Sequence, residues 1–174
     1  MDSVPLTMQA WFRLDDNIKQ SGNATKDATP MLIDTYNNFS LFGQRTSSGA
    51  YQLTLRLPTP QPEGWADRPT TVALEPNNYY AIALLTDGAA NWTLRAIDTK
   101  GKMQKFETKA TGMPKENSKK LYNLVFGTNV SDLASHNFNG YIDEVRVWNK
   151  VLADAELMAT YDHQLSGDEK DLYL

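Results

Sequence analysis

The strictest constraint on this chain is the alternation from Leu6 to Leu14. Leu6, Met8, Ala10, Phe12 and Leu14 fall on one face, and Thr7, Gln9, Trp11 and Arg13 on the other. A period of two over that length specifies a β-strand with one face in a core. Tyr51, Leu53, Leu55 and Leu57 repeat the pattern. Shorter strands read at Met31–Asp34, Phe39–Gln44, Thr70–Leu74, Tyr79–Thr86, Trp92–Asp98, Met103–Thr108, Leu121–Phe126 and Phe138–Trp148. Thr99-Lys100-Gly101-Lys102 has the composition of a hairpin turn. The period changes once, where Leu152, Ala155, Leu157, Met158 and Tyr161 stand near helical spacing. Asp154 and Glu156 occupy the first turn of that helix, where its dipole favours acids. Many short strands and one short helix predict an all-β, two-sheet antiparallel sandwich with a short C-terminal helix.

With 174 residues, 41% of them hydrophobic, the chain has the material for one domain with a real core. No apolar run reaches the ~20 residues of a membrane-spanning helix, so membrane insertion is not expected. The absence of cysteine excludes disulfides and thiolate chemistry. A net charge of −4 argues against nucleic acid as a partner. The seven lysines between Lys100 and Lys120 read as a solvated hairpin and loop, with an anionic partner as the lesser reading. Asp15–Pro30 and Gly112–Lys120 read as polar loops. Pro58–Pro69 holds four prolines around Trp65. Proline donates no ladder hydrogen bond, so this stretch is expected to be an ordered loop or flap and not a central strand.

The run Phe138-Asn-Gly-Tyr-Ile-Asp-Glu-Val-Arg-Val-Trp-Asn-Lys-Val-Leu-Ala-Asp-Ala-Glu-Leu157 resembles the C-terminal signature of laminin-G-like, concanavalin-A-like jelly rolls, a version of which pentraxins share. Met8-Gln-Ala-Trp-Phe12, Leu41-Phe-Gly43 and Tyr80–Gly88 followed by Trp92 resemble the earlier strands of that family. The likeness extends over roughly residues 6 to 162 and implies a jelly-roll lectin-like fold. The sequence departs from the pattern at Ala153, where a capping serine is common; the missing hydroxyl cap costs on the order of 1 kcal/mol. Tyr161–Leu174 resembles the start of a return strand that normally continues, so the expectation is a domain excised from a larger parent, or one completed by a partner segment.

Related glycosidases carry several carboxylates on one strand face, a spacing suited to acid and nucleophile roles. No such triplet occurs here. Asp143 and Glu144 are adjacent and so fall on opposite faces, with Asp143 expected beside Val145 and Val147 as a structural acid bonding nearby loop backbone. His136 and His163 are isolated and read as exposed residues. Calcium needs six to eight oxygens, which loops supply, and many members of the resembled family bind it at the rim. Asp15, Asp16 and Asn17 form one oxygen-rich loop and Asn37-Asn38 another. In the loop 127–133, Asn129 and Ser131 stand where pentraxins place acids, with Asp132 one step off. Both readings of these residues stand, calcium ligands and ordinary turn residues, the second being the commoner role.

Trp65, isolated among prolines, is placed either to stack on a sugar or partner, or to fold back and pin its own loop. Trp11, Trp92 and Trp148 lie on strands and read as packing residues. Trp65, Asn129 and Asp132 are thus the candidate ligand contacts, and Asp15, Asp16 and Asn17 the candidate metal ligands. The expected function is a non-catalytic module recognising glycan or protein at a cell, virion or matrix surface, extracellular or secreted. An assembly domain of a larger particle is the alternative, and a glycoside hydrolase ranks last.

Overall fold

A computed structural model describes residues 5–16, 29–35, 39–60, 64–110, 124–128 and 138–173. Ten strands and one helix follow in order: β1 Leu6–Leu14, β2 Met31–Thr35, β3 Phe39–Arg45, β4 Tyr51–Pro58, β5 Trp65–Leu74, β6 Tyr79–Thr86, β7 Asn91–Asp98, β8 Met103–Lys109, β9 Leu124–Phe126, β10 Gly140–Trp148 and α1 Asp154–Thr160. They build two five-stranded sheets. The first runs β10-β1-β6-β7-β8 and the second β5-β4-β3-β2-β9, with every pairing antiparallel. The two-sheet sandwich and the C-terminal helix expected from the alternation are what the chain forms.

Between the sheets lies one core. Met8, Ala10, Phe12 and Leu14 of β1 meet Leu53, Leu55 and Leu57 of β4 within it, all nearly inaccessible. Each such side chain contributes about 1.5–3 kcal/mol by leaving water. A second cluster covers the outer face of the first sheet. There Ala81, Ala83 and Leu85 of β6 pack with Trp148, Leu152 and Leu157. The small residues of β6 leave room for α1 to lie on the sheet, so the molecule has three layers at this point.

The C-terminal signature now has a physical account. At Gly140 φ is +153°, and a Cβ there would sit 1.8 Å from the Arg13 carbonyl oxygen; only glycine lets β10 approach β1 so closely. Ile142 and Val145 border the core while Val147 is buried in it. Their spacing of three, then two, reflects a bulge: Gln9 pairs with Arg146 but Trp11 pairs with Asp143, which leaves Glu144 and Val145 opposite Ala10. Glu144 takes the positive φ of 51° that this requires. The expectation that Asp143 shares a face with Val145 and Val147 is therefore corrected. The bulge shifts the alternation, so Ile142 joins the valines and Asp143 is exposed.

Trp148 and Leu152 sit beneath α1, and the helix has no side-chain cap at Ala153. Glu156 instead accepts a hydrogen bond from the Ala153 amide at 2.7 Å, half of a capping box.

A second correction concerns residues 65–69. They are the first half of β5, not loop, and pair with β4 from Pro58↔Trp65 to Thr54↔Pro69. Because β5 is an edge strand, Pro69 withholds a donor where an edge strand can do without one.

Candidate functional site

The outer face of the second sheet carries no helix among the described residues. Leu53, Leu55 and Leu57 of β4 point into the core, so Gln52, Thr54 and Arg56 point outward. In register, one polar row crosses four strands: Asp67 on β5 faces Arg56 on β4, Arg56 faces Ser40 on β3, and Ser40 faces Asp34 on β2. The Arg56 guanidinium grips Asp67 with two hydrogen bonds, Nε to Oδ1 at 2.6 Å and Nη2 to Oδ2 at 2.9 Å. Ser40 Oγ donates to Asp34 Oδ1 at 2.6 Å. Arg56 also lies 5.3 Å from the centre of the Phe42 ring, a cation–π contact that fixes the plane of the fork.

Trp65 stands two residues before Asp67 and so shares its face at the sheet edge. It is 38% exposed. An exposed indole next to a rigid, bidentate Arg–carboxylate pair, both still half open to solvent, offers an apolar plane beside fixed donors and acceptors. Hydrogen bonding to Asp67 holds the Arg56 pKa above its ordinary value.

The other candidates fall elsewhere. Asn17, Asn129, Asp132, His136 and the Asn37-Asn38 pair lie outside the described residues. Asp15 is paired with Arg13 at 2.9 Å. Asp16 is paired with Arg45, whose Nη1 also donates to the Asp16 carbonyl at 2.9 Å. A guanidinium on each of the two carboxylates is a poor fit to a divalent cation, which needs those oxygens for itself. Among the described residues no group of three or more His, Asp or Glu is placed to hold a metal ion. His163 is exposed and sits 2.7 Å from Asp162. Asp143 accepts a hydrogen bond from the Glu144 amide at 2.8 Å, a bond within β10 and not to loop backbone. Trp148 is buried; Trp92 packs on Phe39 with centroids 4.8 Å apart; Trp11 donates its indole N–H to the Tyr161 carbonyl at 2.7 Å.

Sequence reasoning singled out Trp65 but missed Arg56 and Asp67. Their signal was the outward phase of the Tyr51–Leu57 alternation, which isolates Arg56 on the solvent face. What the sequence does not display is that Asp67 comes opposite it.

The family model for the concanavalin A-like lectin/glucanases superfamily matches residues 1–158, and the chain belongs to that superfamily. No sequence among the curated proteins matches it. Solved structures similar in fold include tailspike protein 2 of Escherichia coli O157:H7 bacteriophage CAB120, at 16% identity and a TM-score of 0.62 over 91% of this chain and 22% of the tailspike. A Bacteroides ovatus protein named for carbohydrate binding aligns at 14% identity and 0.62, over 98% of this chain and 44% of its own. The CBM40 of the Ruminococcus gnavus IT-sialidase, solved with α2,3 sialyllactose bound, aligns at 15% identity and 0.57, over 91% of this chain and 83% of its own. The chain thus spans about a fifth of the tailspike and less than half of the B. ovatus protein. At these identities the likeness is one of fold.

Proposed function

We propose that the chain is a non-catalytic glycan-binding module that acts at a cell or virion surface as part of a larger protein. The observation that carries this reading is the exposed Trp65 beside the Arg56–Asp67 pair on the outer face of the second sheet, which carries no helix among the described residues. A pyranose ring presents an apolar face to an aromatic plane and hydroxyls to its rim, and those hydroxyls are met here by charge-assisted donors and acceptors. The carbohydrate-binding neighbours of the same fold support it. Glu144 is engaged by Arg146 at 2.7 Å and Asp143 by local backbone, so the adjacent acids weighed against a glycosidase spacing have structural work to do.

A glycan array probed with the intact chain, followed by titration of Trp65→Ala and Arg56→Ala, tests the reading. Binding that drops about tenfold or more in Trp65→Ala, a loss of at least ~1.4 kcal/mol, supports it. Glycan binding indifferent to both substitutions, or release of reducing sugar from a bound glycan, counts against it. Repeating the array with millimolar calcium tests Asp15, Asp16 and Asn17 as metal ligands. A calcium-dependent gain requires Arg13 and Arg45 to release Asp15 and Asp16.

A further inference from the structure

The opposite face of the sandwich carries a second set of exposed aromatics. Arg13 of β1 lies in register between Tyr141 of β10 and Tyr79 of β6. Its guanidinium stands 4.0 Å from the Tyr141 ring centre and 5.4 Å from that of Tyr79, and the two rings are 6.4 Å apart. Tyr141 is 53% exposed and Tyr79 38%. Two large aromatics left in water side by side, Tyr141 on the edge strand β10 and Tyr79 at the start of β6, with a cation held between them and their planes tilted by 55°, form an open aromatic platform.

The platform continues into a cleft. Trp11 follows the same face of β1 two residues from Arg13, about 7 Å along the strand. Trp11, Glu144, Asp162, His163 and Gln164 line an open depression of about 220 Å³ beside it. That is small against the ~300 Å³ at the lower end of ligand pockets, so it accommodates a single ring or its substituents. The wall is fixed. Arg146 is buried and donates to the Thr160 and His163 carbonyls and to Glu144. Glu144 itself is held at positive φ, a strained backbone of the kind that gathers at binding sites.

The charges decide the class of ligand. Arg13 is neutralised by Asp15 and Arg146 by Glu144. Asp143, opposite Trp11, and Asp162, in the cleft wall, add negative charge. Among the described residues no arginine here is left over for a carboxylate or sulfate, whereas paired acids and an amide suit hydroxyl groups. We propose that this face is a second carbohydrate site for a neutral oligosaccharide of at least two rings, one stacked on the more exposed Tyr141 with its edge toward Tyr79 and the next entering the Trp11 cleft. The module then binds glycan on both of its broad faces and can bridge two chains or gain avidity on one surface.

The test is a titration of the intact chain, followed by NMR of the tryptophan indole N–H signals, with neutral gluco-, manno- and galacto-oligosaccharides of two to six rings at up to about 10 mM, enough to populate millimolar sites. Sialyllactose serves as the anionic comparison. A neutral oligosaccharide is expected to shift the Trp11 indole signal. Tyr141→Ala, a surface substitution that leaves the core intact, is expected to weaken that response about tenfold or more. Trp65→Ala is expected to leave it unchanged. If no neutral oligosaccharide moves the Trp11 signal, if Tyr141→Ala titrates like wild type, or if sialyllactose moves it as strongly, the proposal fails. A Trp11 response without any Trp65 response would sink the first site and leave the second standing.

Discussion

At the scale of single residues, backbone geometry and side-chain pairing explain why particular amino acids stand where they do. Gly140 is the sharpest case, since any side chain there collides with the Arg13 backbone. Gly140→Ala is expected to cost more than about 2 kcal/mol, because both the clash and the positive φ must be relieved. Chemical denaturation reads that loss directly; a midpoint equal to wild type would show that β10 can back away from β1 freely. Trp65, by contrast, is an exposed edge residue. Its replacement by alanine is expected to change stability by less than about 0.5 kcal/mol, as surface substitutions do, while abolishing glycan binding at its face. Comparable loss of both would mean the indole pins the fold instead of greeting a ligand. Trp65 was legible as a candidate because it is isolated among prolines. Arg56, Asp67 and the Tyr79–Arg13–Tyr141 row were not. Cross-strand neighbours come from distant segments, and register is fixed only when the sheets assemble.

At the scale of elements, α1 shows how a seven-residue helix is held. So short a helix is not stable by itself. Leu157 anchors it in the outer cluster. At its C-terminal end the Trp11 indole and the Arg146 guanidinium satisfy the Tyr161 and Thr160 carbonyls. At its N-terminal end the half-built cap invites a test. Ala153 has the extended conformation of an N-cap residue, so Ala153→Ser is expected to stabilise by about 0.5–1 kcal/mol, measured by urea titration. No gain would mean that Glu156 already saturates the helix start.

Asp154 docks the same end on β7 and β8. Its carboxylate is bonded by Lys105 and by the buried Arg95. The bond to Lys105 first, and that to Arg95 next, hold its pKa below the usual carboxylate value. A depressed folded pKa contributes stability that is present above the unfolded value, ~3.9, and is lost as pH falls through the folded one. Asp154→Asn is therefore expected to melt lower than wild type near neutrality, with the gap closing below about pH 4. A gap constant across pH would show that the ion pairs contribute nothing.

Most strands were legible because β1 and β4 alternate cleanly and others, such as β6, are short apolar runs bounded by turn residues. Two features were not. Four prolines in Pro58–Pro69 masked the edge half of β5, since composition does not say that an edge strand tolerates them. The bulge at Glu144 was hidden because Tyr-Ile-Asp-Glu-Val-Arg-Val-Trp reads as strand in either phase, and only the partner strand shows where a residue is inserted.

At the scale of the whole molecule, the sandwich separates its work by layer. The inter-sheet core carries stability, the helix shields part of one outer face, and exposed aromatics remain on both broad faces. Superfamily membership sets the frame but not the ligand, because function resides in the side chains grafted onto a fold. The central claim is that Trp65 with Arg56 and Asp67 binds sugar. Isothermal titration of the best array glycan into wild type and Trp65→Ala, at matched thermal stability, tests it most directly. The account predicts measurable heat for wild type and at least about a tenfold weaker constant for the variant. Equal affinities in the two proteins would contradict it.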